Sequence, residues 1–321
     1  MAPKNPKNIK CLSVNICGIG GKSKIPLDKY VDMESPDILN VQETLTSDME
    51  KLALTNMKVI GDDNQAGNRG AALYVHKNYT ITKLKDINEI SKNIDSSWGL
   101  GVIHKQRYVL GSVYVKLGYN NAITDVINML NKAHSLMKKH KATAIILSGY
   151  FNARHIAWGD HITNNYGTKL FDNIDKTKFS ILTSSTPTFL SKNGTSHIDL
   201  MIVTTNMVDK VKFCKTDPEV QLFSGAPSMG HVPLITHFHN KGGVTTTEPI
   251  EKINLDKVDW KKWSDDLDYE LAENEDHLKT LTNPLELNDF LTKVIQKTTN
   301  KHGEKKIITT YSKPLWTPEL S

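Results

Sequence analysis

Short apolar runs of strand length, most of them closing on a polar residue, recur through the first 240 residues. Residues 10–14 end at Asn15, and residues 38–41 end at Gln42-Glu43-Thr44. Residues 71–75 follow the turn signal Gly67-Asn68-Arg69-Gly70. Residues 108–115 carry Tyr114 near their end, and residues 144–147 run into Gly149-Tyr150-Phe151-Asn152. Residues 197–203 and 232–238 complete the set. These runs are too short for buried helices and predict strands. Between them, residues 121–138 place Ile123, Val126, Ile127, Leu130, Ala133 and Met137 on one stripe, which predicts an amphipathic helix. A shorter helix is predicted over 168–178. Many strands with few helices imply an α/β fold of two packed sheets covered by helices. Asn15, Glu43, Asn152 and His231 all lie beside strand ends, where sheets of this kind gather ligands.

After Asn240 the pattern changes. Residues 241–249 combine two glycines, three threonines and a proline, the signature of a linker. Helices are predicted over about 256–273 and 283–300, followed by an extended segment over 307–321. This tail is charged and too short for a globular core of its own.

Composition excludes several classes. Three cysteines, Cys11, Cys17 and Cys214, make neither a disulfide framework nor a zinc-spaced set. No run reaches the roughly 18 apolar residues of a membrane span. The basic, polar stretch over 1–10 leads into no signal-peptide core, so a soluble intracellular protein is expected. A net charge of +5 is compatible with a polyanionic partner without requiring one.

Six segments carry a more specific message through their order: Leu12-Ser13-Val14-Asn15, Val41-Gln42-Glu43-Thr44, Ser112-Val113-Tyr114-Val115, Gly149-Tyr150-Phe151-Asn152-Ala153, His197-Ile198-Asp199-Leu200 and Gly230-His231-Val232-Pro233. In that order residues 9–239 resemble the endonuclease/exonuclease/phosphatase superfamily, including the apurinic/apyrimidinic endonucleases. A finer resemblance is to the endonuclease domain of retrotransposons without long terminal repeats. It rests on Phe151 to Gly159, Asn164-Asn165-Tyr166-Gly167 and Thr186-Pro187-Thr188-Phe189. Residues 313–320 look like the connector that precedes a reverse transcriptase in such polyproteins, which makes 240–321 a linker and helical connector. The resemblance implies a DNase I-like four-layer α/β sandwich that nicks double-stranded target DNA in the nucleus.

The chemistry it implies is hydrolysis of a phosphodiester assisted by Mg2+ or Mn2+. A hard cation needs oxygen ligands, water needs a base, and the phosphate needs donors. By resemblance Glu43 is the metal ligand, and Asn15 sits beside metal and phosphate as a ligand or a donor. Asn152 holds the phosphate and the attacking water, and Tyr114 contacts the phosphate. In the His231–Asp199 pair, the carboxylate orients the imidazole and favours its charged form.

Two positions depart from the pattern. Tyr150 and Gly230 stand where the family carries aspartates. A tyrosine is uncharged at neutral pH and too large for a water-sized site. Loss of a positioned base costs about 10² to 10⁴ in rate, so a weak or inactive nuclease is expected, one in which Tyr150→Asp restores activity and Gly230→Asp adds to it. A second reading is a DNA-binding module without catalysis, with Arg154 and His155 as candidate phosphate contacts. A third is a phosphatase of the same superfamily, against which Trp158-Gly159 and residues 313–320 argue.

Overall fold

A computed structural model describes residues 8–20, 23–46, 48–61, 69–88, 91, 93–174, 177–217, 230–239, 250–254, 258–281 and 283–308. In chain order the strands are β1 Ile9–Asn15, β2 Ile38–Gln42, β3 Met57–Gly61, β4 Ala71–His76, β5 Thr80–Lys83 and β6 Ile94–Ile103. They continue with β7 Gln106–Val115, β8 Ala144–Tyr150, β9 Phe179–Leu182, β10 Phe189–Ser191, β11 Gly194–Ser196 and β12 Asp199–Thr204. The last are β13 Val211–Thr216, β14 Gly230–His231, β15 Leu234–Phe238, β16 Ile250–Asn254 and β17 Glu304–Ile308. The helices are α1 Lys24–Glu34, α2 Met49–Leu52, α3 Lys85–Asn88, α4 Ala122–Lys139, α5 Asn165–Ile174, α6 Trp260–Glu273, α7 Glu275–Thr280 and α8 Pro284–His302.

Contacts divide the chain into two units, one over residues 8–239 and one over 250–308. The first contains two six-stranded mixed sheets, ordered β13-β15-β1-β2-β4-β3 and β5-β6-β7-β8-β12-β9. One outer face is covered by α1 and α2 through Leu27, Tyr30, Val31 and Leu52. The other is covered by α4 and α5 through Ile123, Val126, Leu130 and Leu170. This is the four-layer sandwich expected from the sequence. Both faces of each central strand are covered, which is why the strands read as continuous apolar runs.

The layer between the sheets changes character along the strands. At one end Ile9, Cys11, Ile38, Tyr108, Leu110, Ala144, Ile146, Met201 and Val203 form an apolar core. Two residues further along the same faces stand Ser13, Asn15, Asn40, Gln42, Ser112, Tyr114, Ser148, Tyr150 and Asp199. Polar groups here tie one sheet to the other. Asn40 Nδ2 donates to the Gly111 carbonyl (2.6 Å), Gln42 Nε2 to Ser112 Oγ (3.1 Å), and Ser97 Oγ to the Ala71 carbonyl (2.8 Å). Buried polar groups are costly unless paired; these pairs link one sheet to the other just below the strand ends, while Ser13 Oγ and Gln42 Oε1 in the same layer have no hydrogen-bond partner among the described residues.

Several boundaries differ from expectation for local reasons. The helix expected at 168–178 begins at Asn165, because the Asn164 side chain accepts from the Gly167 N–H (2.7 Å) and caps the helix. The strand expected over 232–238 begins only after Pro233, as β15, and β14 just before it lies in a different sheet. The strand β6 was not expected. Its Asp95, Ser96 and Ser97 are buried, so it shows no alternation. Pro26 and a narrow buried stripe of Leu27, Tyr30 and Val31 hid α1.

In the second unit β16 and β17 pair antiparallel, from Ile250 opposite Ile308 to Asn254 opposite Glu304. Trp263 Nε1 donates to Thr299 Oγ1 (3.1 Å), and Asp266 meets Lys301 (2.5 Å) and His302 (2.6 Å), joining α6 to α8. Val258 and Val294 are its buried apolar side chains among the described residues. The linker at 241–249 and the segments at 309–321, including the connector motif 313–320, lie outside the described residues. No helix among the described residues is long and apolar enough to cross a membrane.

Candidate active site

Three connections at the polar end of the sandwich, after β1, after β2 and before β4, are stitched together by backbone hydrogen bonds. The Gly18 N–H donates to the Glu43 carbonyl (2.7 Å), Ile19 to Thr44 (3.0 Å), and Leu45 to Arg69 (2.8 Å). Of the nine non-glycine residues with positive φ among the described residues, Cys17, Glu43, Leu45 and Asn152 stand here. Such backbone costs about 1–3 kcal/mol per residue and persists where surrounding contacts impose it. At Gly149 an added Cβ would stand 1.9 Å from the Val113 carbonyl oxygen, so only glycine lets β8 approach β7. That close approach sets Tyr150 and Asn152 beside Tyr114.

Residue by residue, the structure brings Asn15, Glu43, Tyr114, Tyr150, Asn152, Asp199 and His231 to this end. The sheet register aligns Asp95, Tyr114, Tyr150 and Asp199 in one row across β6, β7, β8 and β12. Asn15 Nδ2 donates to Glu43 Oε1 (3.0 Å), and the Cys17 N–H donates to Asn15 Oδ1 (3.2 Å). Asn152 Nδ2 donates to the Val115 carbonyl (2.7 Å). His231 Nδ1 lies 2.9 and 3.1 Å from the two Asp199 oxygens. A carboxylate can only accept, so Nδ1 carries the proton and Nε2 is left for a ligand.

Tyr150 is wedged among these groups. Its ring stacks on Tyr114 (centroids 5.1 Å apart, 27° between planes) and meets His231 edge-on (4.9 Å, 88°). Burial first, then the charges of Asp199 and Glu43, push its hydroxyl well above the ordinary tyrosine range. It is an uncharged donor where the family resemblance leads one to expect an acid. Tyr114 is pushed up to about 12 by burial, by the Glu43 charge and by its hydrogen bond to Glu43. Gly230 has φ +121°, a conformation that side chains rarely adopt, and no described atom lies within 4 Å of where its Cβ would stand. An aspartate there would take on a strained backbone, which works against the gain expected from Gly230→Asp. Ser228 and Met229 of that motif lie outside the described residues.

Arg154 and His155 are engaged within the domain. Arg154 Nε and its terminal nitrogen hold Asp160 Oδ1 (2.9 and 2.8 Å), and the same guanidinium reaches the Thr195 carbonyl (3.2 Å). The His155 ring stacks on Phe171 (4.5 Å, 12°), and its Nδ1 accepts from the Ala157 N–H (3.0 Å). Burial lowers its pKa below the ordinary histidine value.

Several positioning residues escaped the sequence reading. Thr188 Oγ1 accepts from the N–H groups of Ile198 and Asp199 (3.1 and 3.0 Å), and the Phe189 ring packs on His231 (4.8 Å). The motif Thr186-Pro187-Thr188-Phe189 thus holds the His231–Asp199 pair. Asn164 donates to the Asn152 carbonyl (2.8 Å) and accepts from the Arg154 N–H (3.0 Å). Arg69 is the third. Its guanidinium meets Glu43 Oε2 at 2.8 Å. Nothing in the sequence around Arg69 marked it beyond a turn signal.

The residues present do not fit a hard divalent cation. Such ions take several oxygen ligands and favour sites rich in carboxylate charge. Glu43 is one carboxylate, and it already receives Asn15, Arg69 and the Tyr114 hydroxyl. Asn15 presents its NH₂ group to Glu43, and its oxygen faces Cys17. Among the described residues no three His, Cys, Asp or Glu side chains are grouped to share a metal.

Comparison with known proteins matches residues 108–224 to the family described as endonuclease-reverse transcriptase. A solved structure described as the endonuclease domain of TRAS1, a telomere-specific non-LTR retrotransposon, superposes with TM-score 0.58 at 17% identity, covering 73% of this chain and 99% of that one. An AP endonuclease from Leishmania major gives 0.56 at 14% identity, covering 73% and 88%. The APE2 catalytic domain of Xenopus laevis gives 0.54 at 14%, covering 72% and 92%. No curated protein matches at a significant level.

Proposed function

We propose, for a chain that carries the endonuclease/exonuclease/phosphatase fold and matches the endonuclease-reverse transcriptase family over residues 108–224, that the strand-end cleft engages duplex DNA and that its hydrolytic step is disabled. The observation that carries this reading is Tyr150, seated between Tyr114 and His231. The second Asn152 amide hydrogen and the Tyr150 hydroxyl supply donors for a phosphate. Among the described residues of the cleft no carboxylate is left free to accept a proton from water. Asp199 is committed to His231 and Glu43 to its three donors. The phosphate is held and nothing prepares the attack.

The polyprotein setting, nicking of chromosomal target DNA in the nucleus ahead of a reverse transcriptase, is part of this proposal. It is supported by the family description and by the likeness to the TRAS1 domain. Magnesium or manganese would supply Lewis acidity only once a second carboxylate stands beside Glu43.

Plasmid relaxation tests the reading. The chain as it stands should leave supercoiled plasmid intact in magnesium or manganese, and Tyr150→Asp should recover part of the roughly 10² to 10⁴ that a positioned base supplies. Tyr150→Asn, with the same shape and no charge, should recover nothing. Robust nicking by the unaltered chain would sink the proposal. Binding to labelled duplex should weaken steeply with salt, because phosphate contacts release counterions. Release of phosphate from small monoesters would point to the phosphatase reading instead.

A further inference from the structure

The misfit between the cleft and a divalent cation has a positive side, which rests on the proposed DNA-binding reading. We infer that Arg69 takes the place of the cation, and that Glu43 serves to orient this arginine towards a backbone phosphate of DNA.

The first ground is how Arg69 is held. Its N–H and that of Gly70 both donate to Asp95 Oδ2 (2.8 and 2.9 Å), and its carbonyl accepts from Leu45 (2.8 Å). The root of the side chain is therefore fixed to the site. One terminal nitrogen meets Glu43 Oε2 at 2.8 Å, and the side chain remains 56% exposed. The rest of the guanidinium fork has no further partner among the described residues. A guanidinium is permanently charged and presents parallel donors that match phosphate oxygens.

The second ground is charge. Three carboxylates stand in or beside the row of site residues, and each has its own partner: Glu43 with Arg69, Asp95 with Lys116 (2.8 Å), and Asp199 with His231. A site of unpaired carboxylates repels phosphate until a metal neutralises it. Here Tyr150 and Gly230 contribute no charge, and each of the remaining acids named is engaged by a side chain. The cleft can accept a phosphate as it is. Glu43, anchored by Asn15 Nδ2 and the Tyr114 hydroxyl, acts as a fixed rest for the arginine.

The test uses the full chain, a fluorescent DNA duplex and manganese alone. Affinity for DNA should be the same within about twofold in EDTA and in magnesium, and calorimetry should show no stoichiometric manganese binding. Arg69→Ala should weaken DNA binding about tenfold and flatten the slope of log affinity against log salt by about 0.9, the value for one phosphate contact. Arg69→Lys should keep the salt slope and lose part of the affinity. A merely structural arginine would lower the melting temperature and leave the slope unchanged, which would overturn the inference. So would stoichiometric manganese binding by the unaltered chain that disappears in Glu43→Gln. Absence of any DNA binding would refute the functional reading, while the manganese arm would still report on the Arg69–Glu43 pair.

Discussion

Replacing Arg154 separates a DNA contact from a structural clamp. Asp160 is buried, with no side-chain exposure, and accepts from two nitrogens of Arg154 (2.9 and 2.8 Å), from His197 N–H (2.9 Å) and from Ile162 N–H (3.2 Å). Burial alone would raise the pKa of this carboxyl. The hydrogen bonds from Arg154, His197 and Ile162, with the Arg154 charge, outweigh burial and hold it below the ordinary aspartate range. Arg154→Ala removes the cation that Asp160 pairs with and leaves a buried charge on two backbone donors. Breaking a buried pair from one side costs about 3–5 kcal/mol, and partial exposure of the arginine argues for the lower end. In a domain of this size each kcal/mol moves Tm by about 2–4 °C, so a loss of about 6–12 °C is expected.

Arg154→Lys keeps the charge and loses the fork that spans Asp160 and the Thr195 carbonyl, so it should fall between the two. Circular dichroism melts, paired with DNA-binding anisotropy below the lowered Tm, decide the matter. A melting temperature within about 2 °C of the parent, together with weaker DNA binding, would show that Arg154 works on DNA and that the clamp reasoning is wrong. The pair also predicts an acid limb. A depressed folded pKa gives stability that is complete above the unfolded value of about 3.9 and is lost as pH falls through the folded value. The Asp160 contribution should therefore disappear only below about pH 4, and Asp160→Asn should remove that limb.

His134, His155, His197 and His237 all have pKa values lowered by burial, so stability should decline as pH drops below about 6.5 and keep declining to their folded values. Melts at pH 8 and pH 5 that coincide would contradict this. Gly149→Ala should fail to give soluble protein, because its Cβ meets the Val113 carbonyl at 1.9 Å. A folded variant would mean that β7 and β8 can separate. Gly230→Asp should cost about 1–3 kcal/mol for backbone strain and give Tyr150→Asp no further gain in plasmid relaxation. An additive gain would show that β14 adapts.

The strand-end residues were legible because strand periodicity is local. Ile9, Cys11, Ser13 and Asn15 alternate along one face of β1, and the change from apolar to polar along that face can be read directly from the sequence. The partners that position them were not legible, because each depends on chain segments meeting from far apart. Arg69 reaches Glu43 from the start of another strand, and Thr188 reaches Asp199 through a small separate sheet. Arg154 and Asp160 lie six residues apart, close enough to notice, yet their pairing matters only because Asp160 is buried, and burial is a tertiary fact. Gly230 shows the opposite failure. As a letter it reads as a lost acid, whereas as a backbone with φ +121° it is a position that glycine suits.

The groups that build the cleft and the groups that would perform hydrolysis are largely different residues. Asn164, Thr188, Asp160, Gly149 and the cross-sheet bonds of Asn40, Gln42 and Ser97 hold the strand ends in place. None of them needs a metal or an attacking water. An acid at position 150 can therefore be absent without cost to the scaffold, and the tyrosine there gains aromatic contacts on both sides, worth about 0.5–1.5 kcal/mol for the stack. A carboxylate at the same place would stand in register with Asp199, a like charge, and would need a cation to offset it. Stability and catalysis thus pull in opposite directions at position 150. On that account Tyr150→Asp should lower the melting temperature while it raises the rate, and metal should return part of the lost stability only in that variant.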